Sequence, residues 1–104
     1  MLDKLDAIKG RFDQVGMALT NPEIIGKQSE FQRLSKEYRS LERIMQPAEE
    51  YRKVLADYDL SKEALNSNDE DMRELAKMEM PELEEKKEKL EKELTKLLFS
   101  YKFI

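Results

Sequence analysis

An all-α fold, an elongated three-helix antiparallel bundle drawn out into a coiled-coil hairpin, is predicted by three features of this sequence. Apolar residues step by three or four along most of the chain, and turn formers are scarce, with 3 Gly and 3 Pro among 104 residues. Charged residues reach 40% against 39% hydrophobic, the balance of long helices with solvated outer faces. A disordered chain of similar polarity lacks such periodicity, and this length fits one domain with a thin core.

The first helix is expected from about Leu2 to Leu19, because Leu2, Leu5, Ile8, Phe12, Val15 and Leu19 form one apolar stripe. Gly10 and Gly16 weaken it, each by up to about 1 kcal/mol relative to Ala, so packing must hold it. Thr20-Asn21-Pro22-Glu23 then reads as a helix start: an Asn cap, a proline suited to the first turn and a carboxylate at the positive end of the dipole. The extra turn near 21–26 is short, and Gly26 ends it. Ser29-Glu30-Phe31-Gln32 offers a capping box for the second long helix, although Gly26 and Lys27 make its entry unusual.

That second helix is predicted to reach about Leu65, with Phe31, Leu34, Tyr38, Leu41, Met45, Ala48 and Leu55 on its seam and Tyr51 and Tyr58 beside it. Pro47 predicts a kink near Arg43 to Gln46 rather than a domain boundary, since the pattern resumes in phase. Asn66-Ser67-Asn68-Asp69-Glu70 is the clearest break, with Ser67 and Glu70 at capping-box spacing. The third helix should run from Asp69 to about Leu98, burying Met72, Ala76, Leu83, Leu90 and Leu97. Glu82–Lys86, Glu85–Lys89 and Glu88–Lys92 are expected as ion pairs on its outer face.

Little catalytic chemistry fits this composition. Histidine and cysteine are absent, which removes the commonest general base, thiolate nucleophiles, disulfides and thiolate metal sites. Glycines at 10, 16 and 26 form no phosphate-cradling loop. The carboxylates near 66–71 lack the central glycine and terminal Glu of a calcium loop, so helix capping explains them better. Those of the third helix lack the histidines of di-metal bundles. The tyrosines and Phe31 sit at core spacing, and Met72, Met78 and Met80 are expected to fill gaps around Pro81. No catalytic, cofactor-binding or metal residue is therefore assigned, and the chain is not expected to be an enzyme. Nothing at the start resembles a signal or transit peptide, no apolar run nears the ~20 residues of a membrane span, and the cytoplasm is the expected compartment. With 19 basic and 23 acidic residues interleaved, DNA and membrane are not expected partners; local contact with RNA stays open.

Three ordered blocks, Met1-Leu2-Asp3-Lys4-Leu5, Asn21-Pro22-Glu23-Ile24-Ile25 and Leu34-Ser35-Lys36-Glu37-Tyr38, resemble the opening of the bacterial peptide chain release factor 1 family. Tyr51-Arg52 with Leu55, Ser61-Lys62-Glu63-Ala64-Leu65 and Asp71-Met72-Arg73-Glu74-Leu75-Ala76-Lys77 continue it in the same order. The resemblance runs from Met1 to about Leu98 and implies the amino-terminal helical domain of a translation termination factor of the UAA/UAG type. In that family the codon-reading tripeptide and the Gly-Gly-Gln loop lie in later domains, and neither motif occurs here. Residues 99–104 depart from the family's Pro-Lys-Asp-like continuation, and are read as the mark of a truncated gene, an engineered fragment or a shifted frame.

The same resemblance implies the ribosome as partner, at the base of the large-subunit stalk. The candidate contact is the hairpin tip, Ser67, Asn68, Asp69, Glu70, Asp71 and Met72, set against the simpler explanation that these residues only cap a helix. On this reading, self-association of an isolated piece through apolar surface at its root is a further expectation. The competing function is a coiled-coil scaffold or oligomerisation module unrelated to translation.

Overall fold

The computed structural model describes residues 1–101. Four helices follow one another: α1 (Leu2–Ala18), α2 (Pro22–Ile25), α3 (Gln28–Ala64) and α4 (Glu70–Ser100), with no strand among the described residues. The all-α prediction is met, and α3 and α4 are the two long helices it called for. The part of the terminal segment at 102–104 lies outside the described residues.

The chain divides into two compact units, one of Met1–Gln46 with Leu97–Ile104 and one of Pro47–Lys96. In the first, Leu5, Ile8 and Val15 of α1 are buried, as are Leu34, Leu41 and Ile44 of α3. Phe12 stacks on Tyr38 with ring centroids 4.6 Å apart. Gly16 makes this approach possible, because a Cβ there would stand 3.3 Å from the Tyr38 ring edge. Leu2, expected in the stripe, is 40% exposed in the first turn of α1. The turn at 20–26 forms as its sequence dictates: the Asn21 side chain accepts from the Glu23 N–H at 2.9 Å, Pro22 opens α2, and Gly26 closes it.

One entry signal reads differently in the structure. Helix α3 begins at Gln28, so Ser29 lies inside its first turn instead of capping it. The helix gains its start from the preceding turn, where the Phe31 N–H donates to the Lys27 carbonyl. Pro47 stands within an unbroken α3, at the residue where the second packing unit begins.

In the second unit the later half of α3 and most of α4 run antiparallel. Tyr51 Oη donates to Glu91 at 2.7 Å, Tyr58 Oη to Glu84 at 3.3 Å and Ser61 Oγ to Glu79 at 3.2 Å, so one number rises as the other falls. Ala48, Tyr51, Val54, Ser61, Ala76, Leu90 and Leu94 are buried. The seam therefore uses Tyr51 and Val54, where the heptad reading put Leu55, and Tyr51 lies within it rather than beside it. A tyrosine is long enough to carry its hydroxyl through the seam to a carboxylate at the edge.

Met72 and Met78 are 50% and 73% exposed, so they are surface residues and not gap fillers around Pro81. The three Glu–Lys pairs expected on α4 are not formed among the described residues; the ion pairs on this helix are Lys77–Glu74 at 3.4 Å and Lys87–Glu91 at 4.0 Å. Each expected pair was worth tenths of a kcal/mol, which does not offset the entropy of fixing two long exposed side chains.

Candidate functional site

The predicted contact residues sit at the turn between α3 and α4. Helix α3 ends as the Asn66 and Ser67 N–H groups donate to the Glu63 and Ala64 carbonyls. Helix α4 starts at Glu70, and its cap is Asp69, whose Oδ1 accepts from the Asp71 N–H at 2.9 Å. Ser67 does not form the expected reciprocal box with Glu70. Its Oγ instead accepts from the Asp69 N–H at 3.1 Å, while its carbonyl accepts from Arg73 Nη1 at 2.7 Å. A carboxylate cap attracts the positive end of the helix dipole more strongly than a hydroxyl, so Asp69 takes that place. Asn68, Asp69, Glu70, Asp71 and Met72 are exposed and Ser67 is half-buried.

Directly behind this turn, Leu60, Ser61 and Ala64 of α3 and Met72, Leu75, Ala76 and Glu79 of α4 line a shallow groove. Leu60 and Leu75 are 65% and 55% exposed, so its lining presents apolar surface to solvent. These two leucines were missed in the sequence reading. Their signal was available: each is an aliphatic residue out of phase with its helix's buried line. The surrounding stretch from 57 to 82 carries nine carboxylates against three cations, Lys62, Arg73 and Lys77.

A second polar cluster belongs to the first unit. Arg11 Nε and Nη2 donate to the two oxygens of Glu37 at 2.6 and 2.7 Å, and Tyr101 Oη donates to Glu37 Oε2 at 2.9 Å. The hydrogen bond from Arg11 is the largest cause holding the Glu37 carboxyl below the usual carboxylate range. Burial, then the hydrogen bond to Glu37, pushes the Tyr101 phenol well up. A carboxylate with both oxygens taken by a guanidinium has no role as a free base, so this cluster ties helices together. Among the described residues no group of His, Cys, Asp or Glu is spaced to hold a metal ion, and no helix is long and apolar enough to cross a membrane.

The family model of the PCRF domain matches residues 8–102. The chain belongs to the PCRF domain family. This PCRF domain is 39% identical over 99 residues to peptide chain release factor 1 of Bacteroides fragilis, an alignment covering 94% of this chain and 27% of that protein. It is 42% identical over 100 residues to peptide chain release factor 1 of Alkaliphilus oremlandii and 38% identical over 99 residues to that of Clostridium botulinum, covering 28% of each. The PCRF domain thus spans little more than a quarter of the length of these curated relatives. No solved structure matches it.

Proposed function

We propose that this PCRF domain is the amino-terminal, ribosome-contacting part of a translation termination factor acting at UAA and UAG codons, and that it takes no part in the hydrolysis itself. The similarity to release factor 1 across 94% of the chain carries this reading. Release chemistry and codon reading belong to regions that the matched quarter of those relatives does not include. The domain's task is positional: helices bring a surface to the base of the large-subunit stalk and so orient the factor in a cytoplasmic ribosome.

Ser67 to Met72 are the proposed contact, together with Leu60 and Leu75 behind them. Exposed aliphatic side chains beside a well-capped turn support this choice, since they gain most from being covered while the turn itself resists deformation. Sedimentation with bacterial ribosomes stalled at a UAA codon tests it. The chain is expected to pellet with ribosomes, to be displaced by full-length release factor 1, and to release no peptide alone. The double substitution Leu60→Glu/Leu75→Glu is expected to weaken pelleting about tenfold. A chain that stays in the supernatant, or that pellets without competing, contradicts the proposal.

A further inference from the structure

On the face of α3 that points away from the first unit's core, Gln32, Lys36, Arg39, Arg43 and Gln46 follow one another at steps of three or four residues. At about 100° per residue they fall on one side of the helix, roughly opposite the side that carries the buried Leu34, Leu41 and Ile44. All five are exposed. The row extends about 21 Å at 1.5 Å per residue, its successive cations about 4.5 and 6 Å apart along the helix axis.

Its charge is uncompensated. Of the three acids in this part of α3, Glu37 faces the other way and is held by Arg11 and Tyr101, and Glu30 is paired with Arg33 at 3.0 Å. Glu42 lies about 100° around the helix from Arg43 and about 60° from Arg39, three residues away, and among the described residues forms no ion pair with either. Among the described residues no carboxylate forms an ion pair with Lys36, Arg39 or Arg43. The contrast with the acidic surroundings of the hairpin turn is clear: one chain with a net charge of −4 keeps a local row of three cations that no ion pair among the described residues engages.

We propose that this row is a contact surface for the phosphodiester backbone of RNA. The spacing of the cations approximates that of successive phosphates, and the flanking glutamines supply donors and acceptors suited to ribose hydroxyls. An anionic membrane is the other polyanion to weigh. It is disfavoured because the apolar residues between 32 and 46, Leu34, Tyr38, Leu41, Ile44 and Met45, all lie toward the opposite side, leaving no side chain to insert into lipid. The inference goes beyond the termination reading, for it concerns another face and holds for RNA with no ribosome present.

The test is a titration of the isotope-labelled 104-residue chain with a 20-base-pair RNA hairpin at 50 mM salt, followed by amide chemical shifts. Perturbations are expected to centre on 32–46. The variant Lys36→Gln/Arg39→Gln/Arg43→Gln is expected to bind about tenfold more weakly and to lower the salt slope by about 3, given ~0.9 counterions released per duplex phosphate contact. Lys86→Gln/Lys89→Gln/Lys92→Gln removes the same charge from α4 and should bind within twofold of the parent, with circular dichroism checking that both variants fold. Absence of binding, perturbations elsewhere, an equal loss in the α4 variant, or binding to phosphatidylglycerol vesicles without binding to RNA would each overturn the proposal.

Discussion

Glu37 accepts three hydrogen bonds from residues distant in sequence within the first unit, and its charge is the reason they hold. Arg11 grips both oxygens and Tyr101 adds a third hydrogen bond, all with both members of the ion pair largely sheltered from water. Glu37→Gln keeps the shape and removes the charge, and is expected to cost about 1–2 kcal/mol in urea unfolding at pH 7. Because the folded carboxyl titrates below its ordinary value, its stabilisation is whole above the unfolded value of about 4.3 and is lost as pH falls through the lower folded value. The gap between parent and variant should therefore close in acid. The opposite sign holds for Tyr51, whose phenol is pushed up to about 12, first by burial and then by its hydrogen bond to Glu91. Its contribution is present below the unfolded value of about 10 and disappears as pH rises through 12. A spectrophotometric titration of the chain should show late phenolate ionisation from Tyr51 and Tyr101, and Tyr51→Phe should remove only the earlier part of it; an unchanged curve would deny Tyr51 that environment.

At the scale of elements, the glycines of α1 separate helix propensity from packing. Gly10 has open space where a Cβ would go, so Gly10→Ala is expected to stabilise the chain by up to about 1 kcal/mol in thermal unfolding. Gly16 faces the Tyr38 ring at 3.3 Å, and that ring is stacked on Phe12. Gly16→Ala should gain nothing or lose stability, because the propensity gain is offset by displacing a stacked pair. Equal stabilisation by both changes would mean that α1 is not seated on Tyr38. The elements themselves were largely legible, since a stripe such as Leu5, Ile8 and Val15 or a signal such as Asn21-Pro22 has one physical solution. Starts were less so: Ser29 and Ser67 both satisfy a capping pattern, yet α3 opens one residue earlier on the Lys27 carbonyl and Asp69 caps α4, because neighbouring groups compete for the same orphan N–H groups. Val54 against Leu55 was likewise undecidable from spacing, as adjacent aliphatic residues fit the same seam.

For the whole molecule, two packing units each have their own buried residues, and the chain's charge is unevenly distributed between a basic row on α3 and an acidic stretch around the hairpin turn. Family membership was readable in ordered blocks of sequence, because such blocks constrain many positions at once. The exposed Leu60 and Leu75 escaped notice because an aliphatic residue off the stripe looks like noise until its exposure is seen. The basic row escaped for a related reason: acids close in sequence mask it, and only the pairing of Glu37 and Glu30 reveals that three cations are left over. The most direct measurement of the central claim replaces the matched segment of Bacteroides fragilis release factor 1 with residues 1–98 of this chain and follows peptide release on ribosomes stalled at UAA. Release within a few-fold of the parent factor, and well above that of a factor lacking the segment, is expected. A folded chimera no better than the factor without the segment would contradict it.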